Sequence, residues 1–390
     1  MPHGRIAILG LLTVVAYGSW FYGFGVLLDD IALDLGSGVG VLTAGYALAQ
    51  VLTGVLGLVA GRALDRHGAA LPFAAGAALG PAAIIASTFA QNPALFALAF
   101  GVGGGVIGAT GFYHLTQSVV ARLSPGSEAR AIAALTVWGA FASPVLIPLT
   151  EVSRRLVGWR DTLRLGALAV GVVLVLSSLT VDRSRLAASA SPSSSPVAAV
   201  REALTRRDVR RLAVSALAGS FGASVLIVLQ VPAMVAGGIS RSTAASLAGA
   251  RGVAQLFGRL PLGRVLRRVS ARRALRAAKV MVAIGAVLLA FSANLVVAVA
   301  FVVVAGTGIG AASPLEGIYA REVLPPHDLG TLMGALHLLL GVAAGLGPLM
   351  AGLVVDLTGQ TWSGLVLASA TVLFGAAVLT ERTPASDGLR

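Results

Sequence analysis

The sequence predicts an all-α membrane protein with twelve transmembrane helices in two pseudo-symmetric six-helix bundles. Three observations carry that expectation. The chain of 390 residues is 56% hydrophobic and 12% charged. A water-soluble fold cannot hide that much apolar surface, so lipid must solvate most of it. The apolar residues gather into twelve segments of about 20 residues, the length that crosses a hydrocarbon core. A motif in the first half, GRALDRHG at 61–68, returns in the second as GRVLRRVS at 263–270, each time after the second segment of its half. Self-similarity at that spacing is the mark of an internally repeated fold.

The first span covers residues 6–28. The MPHGR before it carries little of a signal peptide's basic start. The apolar run is longer than a signal core and has no A-x-A-like end, so the span is expected to be retained. Spans two to six follow at 39–60, 72–90, 94–121, 129–150 and 162–181. The stretch DRSRLAASASPSSSPVAAVREALTRRD then interrupts the pattern with Ser, Pro and Arg. It reads as a flexible linker whose second part forms a short amphipathic helix. Spans seven to twelve lie at 209–236, 242–265, 273–291, 295–320, 329–351 and 361–380. The expected division is therefore an N-terminal bundle (1–181), a cytoplasmic linker (182–208) and a C-terminal bundle (209–390).

Arginines set the orientation, because basic residues accumulate in cytoplasmic loops. Loops at 29–38, 91–93, 151–161, 237–241, 292–294 and 352–360 hold only Arg154, Arg155, Arg160 and Arg241. The opposite set holds Arg62, Arg66, Arg122 and Arg130, seven arginines in 182–211, and the run from Arg264 to Arg273. Both termini are expected in the cytoplasm, in a multi-pass protein of the cell (cytoplasmic) membrane. The net charge of +13 does not indicate nucleic-acid binding, because its residues punctuate the apolar segments instead of forming a patch. All the basic residues but Lys279 are arginine, which fits a GC-rich bacterial genome. With no cysteine there is no disulfide, thiolate nucleophile or cysteine-based metal site.

Charges inside spans are expensive and usually functional. The stretch LAGARGVAQLFGRLPLG at 247–263, within span eight, carries Arg251, Gln255 and Arg259 four residues apart, so the three share one helix face. Lipid cannot satisfy such a stripe, which must face the bundle interior. Arg259 lies about 9 Å of helix rise from the cytoplasmic end. It is either a snorkelling side chain or a two-pronged clamp for a carboxylate. Tyr113 and His114 fall mid-span in span four, with Gln117 one turn on. Glu316 near the end of span ten is the carboxylate placed inside a span, where it could instead pair with Arg321 or another loop arginine. No G-x-S-x-G, H-E-x-x-H or paired intramembrane carboxylates occur, so neither an enzyme nor a metal or other cofactor is expected. GVGGG at 101–105 is a helix-packing run, because no strand precedes it.

Gly61, Asp65, Arg66 and Gly68 form a G-x-x-x-D-R-x-G pattern that resembles the signature of the major facilitator superfamily, in its place between spans two and three. The second copy keeps Gly263 and Arg268 but has Arg267 for the Asp and Ser270 for the second Gly. GVIGATGFYHL (105–115), GWRD (158–161), QLFGRLPLG (255–263), GTGIGAASPL (306–315) and GVAAGLGPLMAGLVVDLTG (341–359) resemble the monocarboxylate transporter and oxalate/formate antiporter branch. The resemblance covers nearly the whole chain. It implies the major facilitator fold, working by alternating access as a secondary active transporter of a small mono- or dicarboxylate, as a monomer.

The same resemblance assigns roles. Arg259 would bind the carboxylate and Tyr113 would face it; from their placement in the spans, Gln255 would help orient it, Arg251 would either bind it or steer and gate its path, and Gln117 and His114 would line that path, His114 alternatively packing against a neighbouring helix. Asp65, Arg66, Gly61 and Gly68 would govern gating. Two departures bear on coupling. Gln255 stands where many members have an acidic or amide residue, and spans one and eleven lack the lysine some members use, with Tyr22 and His337 as nearest polar occupants. Candidates to carry protons are therefore Glu316, His337 and His114, and the coupled species is a proton or a counter-anion. The alternative is a proton-driven exporter of drugs or secondary metabolites, whose span-five motif survives only as GAFASPVLIPL with Ser143 before Pro144. A non-transporting sensor or scaffold is not expected, because short tails without a soluble domain would give it nothing to signal through.

Overall fold

The computed structural model describes residues 3–181, 196–325 and 329–380. The Ser/Pro-rich first part of the expected linker, 182–195, lies outside the described residues. Among those described, nine helices are long and apolar enough to cross a membrane. One of them, Arg130–Thr180, makes two passes, because Gly158 (φ 76°) turns the chain back on itself. Helices α11 (Arg241–Arg259) and α13 (Ala271–Ala290) complete the twelve. Their arginines and Lys279 lower their hydropathy, yet α11 packs on α14 and α13 packs between α14 and α16 like any other span.

Span one is built from α1 (His3–Ala16), a π-helical stretch at Tyr17–Tyr22, and α2 (Phe24–Leu35). Spans two and three are α3 (Val39–His67) and α4 (Ala70–Ser87). Span four breaks at Phe112, in extended conformation, between α5 (Pro93–Gly111) and α6 (Tyr113–Leu123). Span five breaks between α7 (Glu128–Gly139) and α8 (Ala142–Thr180), whose second part is span six. The linker contributes α9 (Pro196–Ala203), the short helix expected there, which lies against span eleven. Span seven is α10 (Arg207–Ala236). Span eight is α11 with the single turn α12 (Leu262–Val265) after Pro261. Span ten is α14 (Leu295–Val323), eleven is α15 (Leu329–Thr358) and twelve is α16 (Thr361–Val378).

Lipid and protein core are equally apolar here, so the two faces of a span differ in contact more than in polarity. In span six Leu163, Ala167, Val170 and Leu174 are buried, whereas Leu165, Leu168, Val172 and Leu179 point outward. That exposed row repeats every three or four residues, as a lipid-facing stripe on one helix side must.

Across the middle, α3 packs on α15, α8 on α11 and α2 on α10. Small residues make these approaches possible. A side chain at Gly352 would strike Gly40 and Thr43, one at Gly345 would strike the Ala47 backbone, and one at Gly25 the Val228 carbonyl. Along α3 these contacts with the other half end near Gly54, which faces Leu338. Beyond that, Gly57 faces His114 of its own half and Gly61 faces open space. The halves therefore touch at one end of the molecule and part toward the other.

The structure corrects three boundaries. Residues 151–161 are helical on both sides of Gly158, so the expected loop there is a single sharp hinge. Span one continues as helix to Leu35, which puts Asp29, Asp30 and Asp34 on its last turns. The GRALDRH run is the end of α3 up to His67, and Gly68 (φ 82°) supplies the left-handed residue that stops it.

Candidate functional site

The polar stripe of α11 is divided between two environments. Arg251 is fully buried. Its Nε donates to Gln230 Oε1 of α10 at 2.8 Å, while Nη1 and Nη2 find no acceptor among the described residues. One turn on, Gln255 Oε1 accepts from Arg259 Nη2 at 3.0 Å, and Arg259 Nε is again a buried donor without an acceptor among those residues. Arg251 lies where the halves close: its neighbours Gly249 and Gly252 press on Pro148, Pro144 and Ser143 of α8. Arg259 is beyond that contact, since its neighbour Gly258 faces Thr307 of its own half. It is half-buried.

Opposite stands an aromatic wall from the N-terminal half. The π-helical stretch YGSWFY adds a residue to one turn of span one. Tyr17 stacks on Phe112 (ring centroids 3.7 Å apart) and lies 5.4 Å from Tyr113, while Trp20 also stacks on Phe112 at 5.6 Å. The break at Phe112 starts α6 with Tyr113, whose hydroxyl donates to the Thr136 carbonyl at 3.4 Å and fills the space a side chain at Gly139 would need. Tyr22 lies within electrostatic range of both Arg251 and Arg259, and Tyr113 within range of Arg259. Two guanidinium groups of one half are thus near enough to phenols of the other to interact through charge. Such a site can hold an anion between charge and hydroxyl donors.

The closed end is held by charge. Arg241 of α11 reaches Asp29 (3.2 Å) and Asp30 (3.3 Å) of α2 in the other half. Asp30 also takes Arg154 at 2.9 Å, and buried Glu151 gathers Arg154 and Arg155, each at 2.8 Å. Arg160 pairs with Asp34 and lies 4.3 Å above the Trp159 ring. Asp356, in the last turn of α15, accepts from the backbone N–H groups of Val39 (2.8 Å) and Gly40 (2.7 Å). A carboxylate from one half thereby caps the first turn of a helix in the other, where the helix dipole favours it.

The remaining predicted residues are distributed. Asp65 pairs with Arg122 of α6 at the far end, joining spans two and four of one half, while Arg66 is exposed. Gln117 is half-buried on α6. His114 places Nε2 3.1 Å from the Ala109 carbonyl, and His337 places Nδ1 2.8 Å from the Met333 carbonyl. Both residues are exposed. Among the described residues Glu316 pairs with neither Arg321 nor a loop arginine; Lys279 of α13 holds it at 2.7 Å. Glu151, expected in a loop, is a second buried carboxylate, only 2% exposed on α8.

Gln230, Lys279, Glu151 and Asp356 do not stand out as site residues in the sequence. Gln230 is a lone amide in VLIVLQVPAM, a visible signal. The others gain meaning only from partners on distant helices.

Residues 212–389 match the model of the Major Facilitator Superfamily. No curated protein matches the chain. The fold is shared with solved transporters at low identity. A point mutant of the nucleoside transporter NupG superposes with a TM-score of 0.82 at 15% identity, covering 96% of this chain and 98% of that one. A bacterial homologue of the human lysosomal transporter Spinster, inward-facing and unoccupied, gives 0.77 at 16% identity over 97% and 96%. A POT family transporter in complex with 5-aminolevulinic acid gives 0.74 at 12% identity over 97% and 96%.

Proposed function

We propose that this chain, a multi-pass membrane protein with the major facilitator fold, carries a small organic anion, a mono- or dicarboxylate, across the cytoplasmic membrane by alternating access. One observation carries the reading. Arg251 and Arg259 together present three guanidinium nitrogens that are buried and lack an acceptor among the described residues. A buried donor left unpaired costs about 1–3 kcal/mol, more when charged. A carboxylate bound between them offsets that cost with charge-assisted, two-pronged bonds that an ammonium could not match.

The geometry around the site supports alternating access. The end that the arginine distribution assigns to the outside is shut by Arg241, Asp356 and their partners in the opposite halves. Arg259 looks toward the opening and Arg251 lies beneath the seal. An anion entering from the open end meets Arg259 first. Rocking of one half against the other would then break the seal and expose Arg251. Tyr113 and Gln255 orient the anion, and Asp65 with Arg122 stiffens the far end of the N-terminal half.

Counterflow in proteoliposomes loaded with a panel of carboxylates tests this. Exchange of at least one carboxylate is expected, with no accumulation of a cationic dye. Dye accumulation without carboxylate exchange would instead support the exporter, whose span-five motif departs here at Ser143.

A further inference from the structure

Four of the chain's five tyrosines, Tyr17, Tyr22, Tyr46 and Tyr113, gather in one cluster of rings in the N-terminal half. The π-helical stretch of span one builds its face. In an α-helix, residues five apart point about 140° away from each other. Here the Gly23 N–H reaches back five residues to the Gly18 carbonyl at 3.1 Å, the wider turn of a π-helix. Tyr22 is thereby brought round to Tyr17, with ring centroids 6.2 Å apart. Phe21 meets both edge-on, 5.5 Å from Tyr17 and 4.9 Å from Tyr22. Tyr113, at the start of α6, adds a fourth ring 5.4 Å from Tyr17.

Helix packing alone would bury these rings. Trp20 and Phe112 in the same cluster are 1% and 5% exposed, but Tyr17, Phe21, Tyr22 and Tyr113 are all only half-buried. They leave ring surface uncovered near the arginines, and such surface is best covered by a flat apolar partner. A wall of rings can also hold a cation. The charge of the site argues against that. Tyr22 is within electrostatic range of Arg251 and Arg259, Tyr113 is within range of Arg259, and α11 carries no carboxylate to balance them. The site is electropositive on one side and aromatic on the other.

We propose that the anion taken by this site is an aromatic carboxylate of the benzoate class. Its carboxylate lies on Arg259, and its ring lies against Tyr17 between Tyr22 and Tyr113. The arginines select the charge. The rings select a planar aromatic body over an aliphatic one, because offset or edge-on ring contacts add to the apolar area that is buried. A short aliphatic acid satisfies the arginines but leaves the wall wet. The π turn is then the device that sets specificity, since a regular helix would swing Tyr22 away from Tyr17.

This substrate class rests on the anion reading of the site, so the test separates the two with three ligands of similar size. Benzoate has the ring and the charge, cyclohexanecarboxylate has the charge without a planar ring, and benzamide has the ring without the charge. Binding to the full-length protein in detergent is measured by calorimetry, with heats into protein-free micelles subtracted. Benzoate is expected to bind about threefold to tenfold more tightly than cyclohexanecarboxylate, the worth of one ring pair. It should bind about thirtyfold or more tightly than benzamide, which lacks the charge-assisted bond. Tyr17→Leu keeps an apolar side chain without the ring and should bring the two carboxylates to within about twofold of each other. A purely structural role for Tyr17 would weaken both ligands alike and leave their ratio unchanged. Where Tyr17→Leu does not fold, Phe21→Leu is read the same way. Equal binding of benzoate and cyclohexanecarboxylate by wild type overturns the proposal and leaves the anion site standing. So does a preference for benzoate that survives in the folded ring variant. Failure of benzoate to bind where a short aliphatic carboxylate binds has the same meaning. Benzamide binding as tightly as benzoate would overturn the anion reading as well.

Discussion

Arg251 is a cation in a membrane protein's interior with one acceptor among the described residues, Gln230. Gln230→Leu removes that acceptor and leaves every guanidinium nitrogen of Arg251 unpaired. The expected loss is about 1–3 kcal/mol of stability, read as a lower Tm in detergent. Addition of the transported carboxylate should recover part of it, because the anion supplies the missing acceptor. A Tm unchanged by the substitution would mean that Arg251 has another partner. The stripe of Arg251, Gln255 and Arg259 is legible in sequence because its spacing is local to one helix. The role of Gln230 is not, since it depends on the register between spans seven and eight. The pairing of Glu316 with Lys279 across 37 positions is hidden for the same reason, and a nearer loop arginine is the natural expectation.

At the scale of elements, hydropathy places most spans, because about 20 apolar residues have one use in lipid, while α11 and α13 fall short of it through their arginines and Lys279. It does not place the interruptions. The hinge at Gly158 depends on a single left-handed residue between two helical runs, and the Arg-rich segment around it imitates a loop. The signature run at 61–68 reads as a loop in sequence, but it finishes α3 and sets Asp65 against Arg122 of α6. That pair lies at the end of α3 remote from the span-eight arginines. Asp65→Asn should therefore leave carboxylate affinity within a few-fold and slow turnover severely, by changing how α3 and α6 move together. Equilibrium binding and single-turnover efflux separate the two. A collapse of affinity with turnover intact would contradict the assignment.

For the whole molecule, the distribution of bonds between the halves defines the state. Asp356 contributes two backbone bonds and Arg241 two ion pairs to the closed end. Asp356→Ala should favour opening of that end, raising maleimide labelling of Leu27→Cys several-fold from the outside, and Arg241→Ala should add to it. Single cysteines at 34 and 358 should label from outside and one at 270 should not, which checks the orientation read from the arginines. The two-bundle plan is legible from the repeated Gly-Arg-x-Leu-x-Arg motif. Which end is shut is not, since a sequence encodes every state of a cycle and the closed face emerges only from pairs between helices.

The central claim is that the span-eight arginines hold a carboxylate, and counterflow by the Arg259→Ala variant tests it most directly. Wild type and variant are reconstituted in equal amounts, folding is checked by gel filtration and Tm, and affinity is measured for the carboxylate that wild type exchanges. Loss of a charge-assisted, two-pronged bond costs about 2–4 kcal/mol, so affinity should fall on the order of thirty-fold to a thousand-fold. Arg259→Lys, which keeps the charge without the fork, should recover part of that loss. Wild-type affinity in a well-folded Arg259→Ala protein would show that the side chain merely reaches for the membrane surface, and would contradict the account.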